Sequence, residues 1–144
     1  MRYNKKMKKS DTGFTVVELL IIIAIIGILT AIILPRLQTA RDEGVETKIK
    51  TELTGVGKRA SVEESKSLTF DVVCGTNGFS QAPSITDQIA IIESFSGQTV
   101  ACNSRTESYA VSVLVASSTH WCVDSEGVRI ERPTGLTSTE YTCE

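Results

Sequence analysis

One carboxylate stands where a carboxylate is expensive. Glu18 falls inside Gly13 to Pro35, GFTVVELLIIIAIIGILTAIILP, where the sixteen residues from Leu19 to Leu34 carry no charge and only Gly27 and Thr30 interrupt Leu, Ile and Ala. As a helix those residues span roughly 24 Å, and about 31 Å counted from Phe14, close to the hydrocarbon thickness of a bilayer. A lone acid near the end of such a span costs on the order of 2.5–3.5 kcal/mol, so a cationic partner and a function are expected for it.

The remaining residues able to do chemistry are few. His120 is the single histidine, beside Trp121 and Cys122. No nucleophile elbow or other local signature accompanies it, so it reads as a half-exposed strand residue and no catalytic residue is assigned. Asp87, Asp124, Ser125 and Glu126 could offer hard oxygen ligands to Ca²⁺, but they lack EF-hand spacing and a polar hairpin turn is the favoured account. No enzyme, metal or cofactor is expected. Aromatic residues are too sparse to suggest a stacking platform for single-stranded nucleic acid or glycan.

Cys74, Cys102, Cys122 and Cys143 are separated by 28, 20 and 21 residues, without a C-x-x-C. All follow the apolar run, and an even count in a small exported domain favours two disulfides over zinc or thioredoxin-like chemistry. Of three possible connectivities, Cys74 with Cys102 and Cys122 with Cys143 is preferred, because each bond closes a local loop. On the chain-entropy model each loop contributes roughly 3–4 kcal/mol.

Ahead of Phe14 lie Arg2, Lys5, Lys6, Lys8 and Lys9 against Asp11 alone, a net charge of +4 that keeps this end cytoplasmic. Pro35, Arg36, Leu37 and Gln38 follow the apolar run without a small-x-small cleavage site, and no Cys stands near it, which argues against a secretory signal and a lipoprotein. The arrangement of a basic leader ending in Gly13, then Phe14, then Glu18 as the fifth residue of an unbroken apolar helix closely resembles the type IV prepilin signature. Agreement runs from about Lys5 to Pro35, with Gly27 and Pro35 standing where many pilins place helix-weakening residues. The resemblance implies that a membrane aspartyl peptidase cuts after Gly13 and methylates the new amine of Phe14, leaving the apolar helix on the mature protein. That amine is the nearest cation for Glu18, and in an assembling filament it can belong to a neighbouring subunit. Pairing would then reward a single register, and registry is the role expected of Glu18.

Removing the leader leaves 131 residues with ten Lys and Arg against sixteen Asp and Glu, a net of −6. A broad nucleic-acid footprint is disfavoured by that charge. Beyond Pro35 the apolar residues Leu37, Ala40, Val45, Ile49, Leu53, Val56 and Ala60 form one helical stripe, with Arg36, Asp42, Lys48, Glu52, Lys58, Arg59 and Glu63 assigned to the other face. Gly55 and Gly57 look like a weak point in it. A helix from Phe14 to about Ser65 would be roughly 78 Å long, and Pro35 should bend it.

Ser65 to Pro83 reads as a loop with one short strand at Leu68 to Val73. Ser84 to Ser96 reads as a helix covering the sheet, capped by Ser84 with Asp87 and stopped by Gly97. Alternation then predicts antiparallel strands at Tyr109 to Ser117, Thr119 to Asp124 and Val128 to Glu131, with a tail packing back through Cys143. The expected fold is α+β, the pilin ladle: a long N-terminal helix on a small antiparallel sheet of about three to four strands. The expected divisions are a removed leader, residues 1–13; a membrane or filament-core helix, 14–35; its amphipathic continuation, 36–65; and a disulfide-bonded head, 66–144.

The resemblance makes the chain a structural pilus subunit held in the cytoplasmic membrane and then drawn into an extracellular filament. It implies identical subunits, minor pilins, a prepilin peptidase and an assembly platform with its ATPase as partners. Two alternatives share the leader: a pseudopilin of a type II secretion system, and a minor tip pilin that binds a surface or DNA.

Overall fold

The computed structural model describes residues 13–116 and 118–144; the basic leader ahead of Gly13 lies outside the described residues. The elements run α1 Val16–Ser67, α2 Asp71–Cys74, α3 Pro83–Ser96, β1 Ala101–Arg105, β2 Ser108–Ala116, β3 Thr119–Asp124 and β4 Arg129–Arg132. By compactness the chain divides into Met1–Ala40 and Arg41–Glu144.

In the first unit every described residue is exposed, although most are apolar. The two threonines of its helix turn back on the backbone, Thr30 Oγ1 donating to the Ile26 carbonyl at 2.7 Å and Thr39 Oγ1 to the Pro35 carbonyl at 3.3 Å, so an apolar helix carries them without an orphan hydroxyl. Pro35 lies within α1 and has no N–H to donate to the carbonyl one turn back.

The second unit is α+β, with the C-terminal half of α1 packed on a four-stranded antiparallel sheet in the order β1-β2-β3-β4. Ile49, Leu53, Val56 and Ala60 are buried from α1, and Tyr109, Val111, Val113 and Val123 from the facing side of β2 and β3. Gly57 permits the approach. A Cβ there would stand 3.0 Å from Val123 Cγ1 and 3.3 Å from the Tyr109 hydroxyl, so the residue that looked like a weakness in the helix is a point of close contact with the sheet. Tyr109 donates to the Gly57 carbonyl at 3.4 Å, and burial, with the nearby charge of Asp124 adding to it, pushes its pKa up to about 12.

The segment from Leu68 to Val73, expected as a strand, contains the start of the short helix α2 instead. Val72 and Val73 are β-branched and favour extended backbone, but Asp71 organises the backbone around itself. The buried carboxylate lies within hydrogen-bonding distance of Thr69 Oγ1 at 2.8 Å, Asn77 Nδ2 at 2.9 Å, Thr76 Oγ1 at 3.0 Å and Thr106 Oγ1 at 3.2 Å. Gly75 ends α2 in the left-handed conformation, φ 75°, and its N–H closes onto the Asp71 carbonyl at 2.9 Å. The fourth strand is β1, which sequence periodicity missed.

Helix α3 begins one residue earlier than expected, with Ala82 as its N-cap and Pro83 in the first turn. Ser84 does not cap it; its hydroxyl reaches Glu63 of α1 at 2.9 Å. Gln88 donates to Glu52, another contact of α3 with α1. Ile85 and Ile92 are buried, and Gly97 ends the helix.

The second face of the sheet is covered by the tail. Asn103 Nδ2 donates to the carbonyls of Thr137 at 2.6 Å and Glu140 at 2.7 Å, Leu136 N–H reaches Ser112 Oγ at 3.3 Å, and Arg132 pairs with Glu140 at 2.7 Å. The Thr137 N–H and then Arg132 hold the Glu140 carboxyl down at a pKa of about 2. The disulfides are Cys74–Cys102 and Cys122–Cys143, with Cα separations of 5.5 Å and 5.7 Å. The second bond fixes a tail with little apolar surface of its own. Replacing both Cys122 and Cys143 with serine is expected to cost roughly 3 kcal/mol, with cleavage within residues 133–144 under limited proteolysis that leaves the parent chain intact.

Candidate functional site

The residues singled out at the N-terminus meet at the start of α1. Gly13, Phe14 and Thr15 precede the helix, and Phe14 is 77 % exposed, so the Gly13–Phe14 peptide bond is presented in non-helical backbone. Among the described residues nothing lies within 4 Å of a Cβ built on Gly13. The packing of the described residues therefore places no demand for glycine at this position.

Thr15 and Glu18 close a reciprocal pair. The Thr15 N–H donates to Glu18 Oε2 at 2.9 Å and its hydroxyl to the same oxygen at 2.8 Å, while the Glu18 N–H lies 3.2 Å from Thr15 Oγ1. Two backbone donors that a helix start leaves unpaired are thus satisfied by side chains, the arrangement of a capping box. Sequence reading singled out Glu18 and missed Thr15. The signal was present as T-x-x-E directly before an apolar run, but the unbroken apolar pattern drew attention to the membrane and away from the cap. Because Glu18 is held by its own helix start, its carboxylate is oriented before any neighbour arrives.

Gly27 and Pro35 lie further along the same helix. Among the described residues a Cβ on Gly27 would meet nothing within 4 Å. The first half of α1 is long and apolar enough to cross a membrane.

The other candidate constellations resolve into structure. The buried carboxylate of Asp124 accepts the N–H groups of Glu126 and Val128 at 3.0 Å each and of Cys143 at 2.8 Å, so it shapes the β3–β4 turn and ties the tail to it. Asp87 is exposed on α3. His120 pairs across strands with Leu114 and Arg132, and its ring lies 3.2 Å from where a Cβ on Gly135 would stand, under the tail. Among the described residues no group of three or more His, Cys, Asp or Glu is arranged to hold a metal ion.

A basic N-terminal segment, an exposed Gly13–Phe14 junction, a capped acid five residues on from Gly13 in an apolar helix and a disulfide-bonded α+β head are together the features expected of a prepilin-type protein. The prokaryotic N-terminal methylation motif matches residues 8–34, and with the fold this supports assignment of the chain to the family of type IV pilins and type II secretion pseudopilins. No solved structure matches the chain.

Proposed function

We propose that the chain is a structural subunit of a type IV pilus, cut after Gly13 by a prepilin peptidase and polymerised through its N-terminal helix. The observation that carries this reading is the Gly13–Phe14–Glu18 arrangement ahead of an apolar helix whose residues are all exposed in the single chain. Such a helix is at ease in two surroundings only, lipid or copies of itself. Cleavage leaves it in the cytoplasmic membrane, and extraction exchanges lipid contacts for helix contacts in an extracellular filament. Identical subunits, minor pilins and a platform with its ATPase are the partners this route requires. Two disulfides in the head, with no calcium-binding loop recognised in the sequence, favour a pilus over a secretion pseudopilus.

The mature chain is expected to begin at Phe14 with an N-methyl group, and Gly13→Val should leave the leader attached because a branched side chain crowds the peptidase cleft. Intact-mass measurement on sheared surface filaments decides it. A mature chain beginning at Met1 would overturn the reading.

A further inference from the structure

Two pairs of like charge on α1, Asp42 with Glu43 and Lys58 with Arg59, form no ion pair among the described residues, and all four side chains are exposed. The two cations line a groove of about 380 Å³ that Val62, Glu63, Lys66 and Ser84 complete. Its acid, Glu63, already accepts from Lys66 at 3.0 Å and Ser84 at 2.9 Å, so the free charge in the groove is positive.

Asp42 precedes Lys58, and Glu43 precedes Arg59, by sixteen residues. On an α-helix that is about 24 Å along the axis and roughly 160° around it. Asp42 was assigned from sequence to the polar face, yet it lies two turns before Ile49 and so on the side of the buried stripe. It is exposed because the head first covers that stripe at Val45. Lys58 lies on the other side of the helix axis from the buried stripe, where it borders the head at Ser84 and again beside Tyr109 and Val123. Opposite charges on opposite sides of one helix cannot both be met across a two-fold axis, which needs a self-complementary patch on one face. They can be met by a parallel copy shifted along the axis, and copies inserted in one membrane with the same end inside are parallel.

We propose that the groove at Lys58 and Arg59 receives the Asp42–Glu43 turn of a second copy of this chain, displaced by about 24 Å along the helix axis. The contact is head-to-tail and leaves one acid pair and one cation pair free at each end, so it repeats without closing. It rests on the filament reading and adds to it the surface that fixes the stagger between neighbouring heads. Exposed pairs hold weakly one at a time, whereas like charges forced together at every subunit disfavour the whole assembly.

The test uses the full chain as the only copy in a cell that assembles it, with leader removal, membrane level and protease resistance of the head checked for each variant. D42K/E43K and K58E/R59E are each expected to lower surface filament counts at least about tenfold, and the fourfold variant to recover to within about threefold of the parent, because it restores opposite charges at the contact. Normal counts in either double variant overturn the proposal, as does a folded fourfold variant that stays as depleted as the doubles. Loss of double-stranded DNA retention by K58E/R59E with unchanged filaments would give the groove to a polyanion and overturn it equally. A parent chain that makes no filaments would overturn the filament reading and the groove's assignment with it.

Discussion

A chain carrying Glu18→Leu is expected to be cut after Gly13, to reach at least the normal level in the membrane, and to form no surface filaments. Leucine makes the span more apolar, so insertion is helped. Two things are lost together, the charge and the capping box with Thr15, and the structure shows how to separate them. Glu18→Gln keeps a residue that serves in a capping box but removes the charge that the methylated amine of Phe14 in a neighbouring subunit would meet. Thr15→Val removes the hydroxyl and keeps the charge. If pairing with the amine sets the register, Gln should lower filament counts at least about tenfold, the factor that roughly 1.4 kcal/mol per contact supplies, while Thr15→Val should stay within a few-fold of the parent. The head is remote from the change in sequence, and its protease resistance should not move. Filament counts beside immunoblots of processed membrane protein make the measurement. Normal piliation by Glu18→Gln would sink the registry role and leave Glu18 as a helix cap.

What sequence made legible was set by short-range pattern. The apolar run and the alternation of Tyr109, Val111 and Val113 are properties of neighbouring residues, and each corresponds to an element of the structure, α1 and β2. Strand β1 was illegible because ACNSR has no alternating apolar face. It is held from outside, by pairing with β2, by the Cys102 disulfide on one side and by Asn103 under the tail on the other. Helix α2 was read as a strand because local β-propensity at Val72 and Val73 is overruled by hydrogen bonds that Asp71 makes to residues as far away as Thr106. Gly57 carried the same ambiguity. A glycine inside a helix costs stability by propensity alone, and only the position of Val123 and Tyr109 turns it into a packing requirement. At the N-terminus Glu18 stood out by its charge in an apolar run, whereas Thr15 and its bonds to Glu18 did not.

Asp71 is a second place, besides the disulfides, where a large loss of head stability is expected. Asp71 is 2 % exposed, and among the described residues its carboxylate has four side-chain donors in reach but no cation, so it is held there by hydrogen bonds. Burial pushes its pKa up, and the bonds from Thr69, Thr76, Asn77 and Thr106 outweigh that, leaving it below the ordinary 3.8. A lowered folded pKa means that this contribution is fully present above the unfolded value and is lost as pH falls through the folded one. Asp71→Ala deletes the acceptor and strands several donors in a buried site, a change worth roughly 3 kcal/mol, or about 12–24 °C in Tm for a head of this size. Asp71→Asn should lose less, because one carbonyl oxygen remains. The gap between Asp71→Asn and the parent should therefore be widest near pH 6 and narrow below the ordinary Asp pKa, as the parent's own carboxylate takes up a proton, while Asp71→Ala keeps the part of its loss that comes from the missing acceptor. Glu140, held near 2 by Thr137 and Arg132, and Glu63, lowered by Lys66 and Ser84, add their own acid sensitivity to parent and variants alike, so the difference between melts isolates Asp71. Thermal melts of the full chain in detergent at intervals from pH 6 to about 2 make the comparison. A Tm gap between parent and Asp71→Asn that stays constant over that range would show that the side chain acts by shape and not by charge.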